Sequence, residues 1–265
     1  MTKTADKRPD QGRAPGAVSF AWHALCSPTR VAEDAWRPRA VVSAAWIYAA
    51  FLIASAIFYA VKPFDFPDRN AQFPREAQNL GFWLRVMMWQ PPLEAAWIVF
   101  LAGLLDWMRE GKLFFKLLGG VVATAFPFIA LVVFKNGGMT KLAYAVCAAS
   151  WLGLMAWAAL RAPRESWEPT ASLMLALNAV GLAAIVPMAL AVGLDSDGLY
   201  KGAQIVSGLW MLVAAALGLR AASSVKLPRC FMAVLLSMFM QIAFAFTLHM
   251  LGLVPKEILK ALLYA

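Results

Sequence analysis

Long runs without charged side chains are the feature that most constrains this chain. A membrane-spanning helix needs about 20 mostly apolar residues, and residues 40–61 meet that requirement with no charged side chain at all. Further apolar runs cover residues 86–108, 113–134, 142–160, 170–194, 202–219 and 230–255. The sequence therefore predicts an all-α fold, a polytopic transmembrane helical bundle of about seven spans. The number falls to six if residues 86–108, which Pro91, Pro92 and Glu94 interrupt, do not cross.

The composition excludes an ordinary soluble domain. Hydrophobic residues make up 62% of the chain and charged residues only 15%, whereas about 25% charged is usual in soluble domains. The net charge of +9 is spread between the apolar runs, and in a membrane protein such an excess sets the topology. We therefore expect the lipid bilayer as a partner and no nucleic acid.

The distribution of Lys and Arg predicts the orientation. With the N-terminus inside and seven spans, fifteen of the 24 Lys and Arg residues fall on inner segments and nine on outer ones, as the positive-inside rule requires. With six spans, the loop holding Arg161 and Arg164 would move outside. The prediction is a bacterial cytoplasmic (inner) membrane protein with a cytoplasmic N-terminus. Trp83, Trp89 and Trp97 are expected in an aromatic belt at the outer interface.

The chain divides into four parts by composition. Residues 1–15 have almost nothing to bury and are expected to form a disordered cytosolic tail. Residues 16–39 predict two interfacial amphipathic helices, the second capped by Ser27 and starting at Pro28; binding to a protein partner is the alternative. Residues 40–255 form the transmembrane helical domain, and residues 256–265 a short amphipathic tail.

Two stretches, residues 115–162 and 175–221, share a pattern that predicts a duplicated two-helix hairpin. The matches that carry this interpretation are Pro127/Pro187, Gly138/Gly198, Lys141/Lys201, Trp151/Trp210 and Arg161/Arg220. Each proline removes a backbone donor inside a span, so structural kinks are predicted at both Pro127 and Pro187. The matched tryptophans are expected at the membrane interface.

Three polar residues within the runs are candidate intramembrane groups. Glu94 is an acidic residue within a span; we expect it in the first helical turn, near the interface and the positive end of the helix dipole. A proton or cation site is the alternative. Asn178 and Gln241 are expected to hydrogen-bond between helices, each stabilising the bundle by about 0.6 kcal/mol, or alternatively to line a polar cavity.

No motif for catalysis or for cofactor binding stands out. The sequence lacks the nucleotide-binding, nucleophile and metalloprotease patterns, and its two His and three Cys are far apart. We therefore predict no catalytic, cofactor-binding or metal-binding residue, no cofactor, and a protein that is not an enzyme.

Several short motifs resemble the YIP1 family of polytopic membrane proteins. These are Leu25-x-Ser27-Pro28 with Ala35-Trp36-x-Pro38 before the first span, Phe114-Phe115-Lys116 leading to Pro127, and Ile205-Val206-x-x-Leu209-Trp210 through Gly218-Leu219. Members of that family usually have fewer spans, and the repeated hairpin would account for the difference. The resemblance implies a non-enzymatic membrane protein with a cytosolic N-terminus, linked in eukaryotes to vesicle traffic through small GTPases. It transfers no functional residue.

Dense apolar surface without catalytic groups favours an adaptor or assembly subunit of a membrane complex. Such a protein has protein partners and is compatible with an oligomer. The alternative is a small transporter or permease subunit, which the proline-bearing hairpins and Glu94 would suit.

Overall fold

The structure of the protein is a computed structural model that describes residues 16–63, 66–67, 79–163, 167–223 and 225–264. Within these ranges the chain forms helices and no strand, which confirms the all-α prediction. The predicted disordered tail, residues 1–15, lies outside the described residues, as does most of the loop after the first span.

The helices follow the apolar runs closely. In chain order they are α1 (Ala17–Cys26), α2 (Pro28–Ala35), α3 (Ala40–Val61), α4 (Leu80–Met87), α5 (Gln90–Arg109), α6 (Leu113–Asn136), α7 (Lys141–Arg161), α8 (Trp167–Gly193), α9 (Asp197–Ala222), α10 (Leu227–Met250) and α11 (Lys256–Tyr264). Seven segments of the described chain are long and apolar enough to cross a membrane. This is the architecture of a polytopic membrane protein, and it confirms the predicted number of seven.

The second crossing begins earlier than predicted. It comprises α4 and α5 together, from Leu80 to Arg109, with a turn at Met88 and Trp89. The side chain of Asn79 caps α4 by accepting a hydrogen bond from Gly81 N at 2.8 Å, which satisfies one of the free donors of the first turn. The helix therefore starts at Leu80, although the continuous apolar run begins only at residue 86.

Helix α5 is the centre of the bundle. It packs mainly against α10 and α7, while α3, α8 and α9 form a neighbouring group that α10 also contacts. Gly103 lets α5 approach α7 closely, since a Cβ there would lie 3.2 Å from the backbone nitrogen of Ala159. Small residues at such crossings are typical of membrane bundles, where van der Waals packing holds helices together.

The two short helices before the first span, α1 and α2, form what we call the N-terminal cap. α2 starts at Pro28 with Ser27 at the N-cap position, as predicted, although the Ser27 hydroxyl makes no capping bond. α1 packs on α8 and α3, and α2 packs on α9 and α8. Phe20 and Val31 are fully buried, so the cap is part of the bundle. Its place at the membrane surface stays a prediction.

The C-terminal tail forms α11, which packs against α10 and α4. Leu259 and Ala261 are buried while Leu263 is exposed, so one face of this short helix is fixed to the bundle. The predicted amphipathic tail is thus a docked helix.

The two predicted hairpins are present as α6–α7 and α8–α9, each with a proline inside its first helix. Pro127 is buried in α6, which continues to Asn136, whereas Pro187 is half-buried in α8, which continues to Gly193. Neither proline ends its helix, and the two lie in unequal surroundings. The duplication, and the kinks at Pro127 and Pro187, stay predictions.

The matched tryptophans of the two hairpins also lie in different surroundings. Trp151 is 3% exposed and Trp210 is 37% exposed. The interfacial position predicted for Trp151 is therefore wrong, because this ring is enclosed by neighbouring helices.

The burial of Trp151 has a direct physical reason. Its indole Nε1 donates a 2.9 Å hydrogen bond to the carbonyl oxygen of Ala123. Ala123 lies four residues before Pro127, which has no N–H to offer that carbonyl. The tryptophan thus supplies the donor that the proline removes, as buried backbone in a membrane requires.

Candidate functional site

Four polar side chains from four helices meet around the first half of α5, and we call them the interior polar cluster. They are Tyr48 from α3, Glu94 from α5, Asn178 from α8 and Gln241 from α10. The cluster includes all three candidates predicted from sequence. Tyr48 was not predicted, because a tyrosine in an apolar run carries no signal of its own.

Glu94 lies deeper than predicted. Because α5 begins at Gln90, before the two prolines, Glu94 is in the second helical turn and no acidic residue occupies the first. The first-turn prediction is therefore wrong. The preceding α4 belongs to the same crossing, so the residue is not at the start of the membrane-spanning segment. Glu94 is 6% exposed.

The carboxyl group of Glu94 has two polar neighbours on facing helices. The amide of Asn178 and the phenol of Tyr48 both lie close enough to the carboxyl group to interact with it electrostatically. Asn178 also donates through Nδ2 to the carbonyls of Met174 and Leu175, at 3.3 Å each. Within the described part of the chain, neither Glu94 Oε1 nor the Tyr48 hydroxyl, both buried, has a hydrogen-bond partner.

Gln241 joins the cluster through the backbone. Its Nε2 donates to the carbonyl oxygen of Leu93, the residue before Glu94, at 3.2 Å. One turn earlier on α10, Ser237 accepts a 2.8 Å bond from Trp97 Nε1. These contacts hold α10 against α5, which is the role predicted for Gln241. Trp97 is therefore a buried packing residue, and Trp83 is equally buried, each 4% exposed. The place predicted for these two rings in an outer aromatic belt is wrong.

The charged side chains that form hydrogen bonds or ion pairs in the bundle lie outside the interior polar cluster. At the end of α5, Arg229 donates to the carbonyls of Met108 at 2.6 Å, Arg109 at 3.1 Å and Gly111 at 2.7 Å. It thereby satisfies carbonyls that a helix end leaves free. Among the described residues Glu94 forms no ion pair, and the pairs present involve Asp34 and Asp106.

The N-terminal cap contains a second buried carboxylate. Asp34 is 4% exposed; its Oδ2 lies 2.7 Å from His23 Nδ1 and its Oδ1 lies 3.4 Å from Arg37 Nε. The contact with His23 joins α1 to α2. Sequence reasoning missed it, because the two residues are eleven apart on helices whose packing the sequence does not show.

The described residues hold no group of three or more His, Cys, Asp or Glu side chains that a metal ion would need. Cys26 is exposed, Cys147 half-buried and Cys230 buried, all as free thiols. The absence of metal and cofactor chemistry from this protein stays a prediction.

The chain matches no model of a protein family, no curated protein and no solved structure. The likeness to the YIP1 family accordingly remains a resemblance of short motifs.

Proposed function

We propose that this protein is a non-enzymatic, YIP1-like adaptor or assembly subunit of a complex in the bacterial inner membrane, with its N-terminus in the cytoplasm. The observation that supports this best is the N-terminal cap. It is a folded element that precedes the first span and is fixed to the bundle.

The two helices of the cap expose different surfaces. α1 exposes Val18 and Trp22, an apolar face suited to the headgroup region of a bilayer. α2 exposes Arg30 and Glu33 beside Trp36, which is 46% exposed. An exposed aromatic ring with charged residues around it is typical of protein contact surfaces. α2 is therefore the face that we assign to a protein partner.

The cap holds this face in a fixed position. Gly218 of α9 lies against the start of α2, since a Cβ there would be 3.3 Å from the carbonyl oxygen of Pro28. The contact of His23 with Asp34 ties α1 to α2. A surface held in this way binds without first being ordered, which lowers the entropic cost of association.

Site-specific photo-crosslinking in native membranes tests the adaptor role. A crosslinker in place of Glu33 should capture one defined protein, and Arg30→Glu in the same chain should lower that yield about tenfold, as loss of an interface charge contact does. The matched control places the crosslinker at Lys201, an exposed residue at the start of α9. A strictly monomeric protein with no crosslink at Glu33, or the same product at Lys201, would contradict the proposal.

A small transporter or permease subunit is the second candidate, and the interior polar cluster favours it. Buried carboxyl groups within spans are typical of transport pathways. The test is substrate-dependent uptake into vesicles by the purified chain. If transport uses the cluster, Glu94→Gln and Gln241→Leu should each abolish uptake, while Lys201→Gln should not. Uptake that survives both changes would remove these residues from the pathway.

A further inference from the structure

We propose that Glu94, together with Tyr48 and Asn178, forms a proton-binding site in the interior of the bundle. The site is independent of whether the protein serves as an adaptor or as a transporter. It consists of one carboxyl group and two neutral side chains, and each of the three comes from a different helix.

Because Glu94 is buried without a neighbouring cation, the protonated and neutral form of its side chain is favoured over the carboxylate. A carboxylate moved into an apolar interior without a partner is very costly, and such a group usually takes up a proton instead. The elements packed most closely on α5 are α4, α6, α7, α8 and α10. Neither they nor α3 bring an ion-pair partner to Glu94 among the described residues. α8 contributes the amide of Asn178, α10 the amide of Gln241, and α3 the phenol of Tyr48, the titratable group that faces the carboxyl group.

The two neighbours suit a proton that binds and leaves. A carboxylate needs donors, whereas a carboxylic acid also needs an acceptor for its own O–H. The Asn178 amide offers both an N–H donor and a C=O acceptor, and the Tyr48 hydroxyl donates or accepts by rotating its hydrogen. The unpaired Tyr48 hydroxyl and Glu94 Oε1 are therefore the groups that can form a new hydrogen bond when the protonation state changes.

A metal cation fits this site less well. A hard cation such as Ca²⁺ takes six to eight oxygen ligands, usually with several carboxylates. Here one carboxyl group stands with neutral side chains, and the described residues form no group of three or more His, Cys, Asp or Glu side chains that could hold a metal ion. A proton needs only one carboxyl oxygen. The site therefore already holds every atom that proton binding requires.

Infrared difference spectroscopy of the full chain in lipid films tests the proposal directly, because the C=O stretch of a protonated acid is well separated from the carboxylate bands. At neutral pH the wild type should show an acid band that Glu94→Gln lacks, and this band should disappear reversibly at alkaline pH. Asn178→Leu should move the band to higher wavenumber, because a carboxylic acid with fewer hydrogen-bond partners absorbs there. Tyr48→Phe should do the same, because its hydroxyl is the group free to form a hydrogen bond with the protonated acid. A residue with only a packing role would not produce that shift.

The matched control is Asp106→Asn, which removes a half-exposed carboxylate from the other end of the same helix and should leave the band unchanged. If Glu94→Gln does not fold, Glu94→Asp keeps the acid and should shift the band without removing it. An acid band identical in wild type and Glu94→Gln would overturn the site. So would a Glu94 band that persists at every pH at which the protein stays folded, since that group would never release its proton.

Discussion

Gly103→Leu should destabilise the bundle more than any other single substitution that we consider, by about 3 kcal/mol or more, as severe overpacking does. A Cβ at this position would lie 3.2 Å from the backbone nitrogen and 3.5 Å from the Cα of Ala159. A flexible side chain can adjust locally, whereas the backbone of α7 can give way only if the whole helix moves. The larger residue would therefore separate α7 from the central helix α5, and membrane helices depend on such close packing for their association.

Thermal unfolding in mild detergent, followed by tryptophan fluorescence, measures this effect. The expected result is a much lower midpoint and an aggregated fraction on size-exclusion chromatography. Gly153→Leu is the matched control, because Gly153 lies on the exposed face of α7 and a Cβ there would meet no atom within 4 Å. Equal stability of the two variants would show that α5 and α7 do not pack as closely as described.

The seven spans could be predicted from the sequence because a run of apolar residues reports length and burial directly. The boundaries were less predictable where a local contact decides them. α4 starts at Leu80 through the Asn79 cap, and Gly81 and Arg85 interrupt the apolar pattern there. The short cap helices were predicted from Ser27 and Pro28, but their packing against α8 and α9 depends on surfaces far away in the chain.

The candidate site, too, could be predicted from the sequence only in part. Glu94, Asn178 and Gln241 could be identified because polar residues are rare and costly inside a span. Which of them meet depends on the rotation of each helix about its axis, and an apolar run does not determine that rotation. Tyr48 was missed for this reason, since its role follows only from its electrostatic interaction with Glu94. The depth of Glu94 was misjudged because α4 belongs to the same crossing.

The predicted repeat illustrates how matched sequence positions can lie in unequal surroundings. Trp151 and Trp210 match in the two hairpins, yet α5 covers only the first of them, and the ring of Phe100 lies 5.4 Å from that of Trp151. Trp210 remains on the exposed face of α9. The prolines differ in the same way, since Pro127 is buried and Pro187 only half-buried. The apolar runs predicted these helices, while neighbouring helices determine what each residue contacts.

Trp151→Phe should destabilise the protein by about 2 kcal/mol, because it leaves a part-buried backbone carbonyl without a donor. Phenylalanine keeps the aromatic contact with Phe100 but has no N–H for the Ala123 oxygen, which Pro127 also cannot serve. Unfolding in mild detergent measures the loss. The matched control is Trp210→Phe, at the equivalent and exposed position of the second hairpin, which should change stability by less than about 0.5 kcal/mol.

A double-mutant cycle with Pro127→Ala separates the lost hydrogen bond from lost packing. Alanine at position 127 restores the backbone N–H that bonds to the Ala123 carbonyl in a regular helix, so this oxygen no longer depends on the indole. Trp151→Phe should then cost about 1 kcal/mol less in the Pro127→Ala background than in the wild type, the usual size of coupling between residues that share a partner. Additive effects would mean that Trp151 stabilises the bundle through its volume alone. In that case the proline and the tryptophan would be independent packing residues rather than a compensating pair.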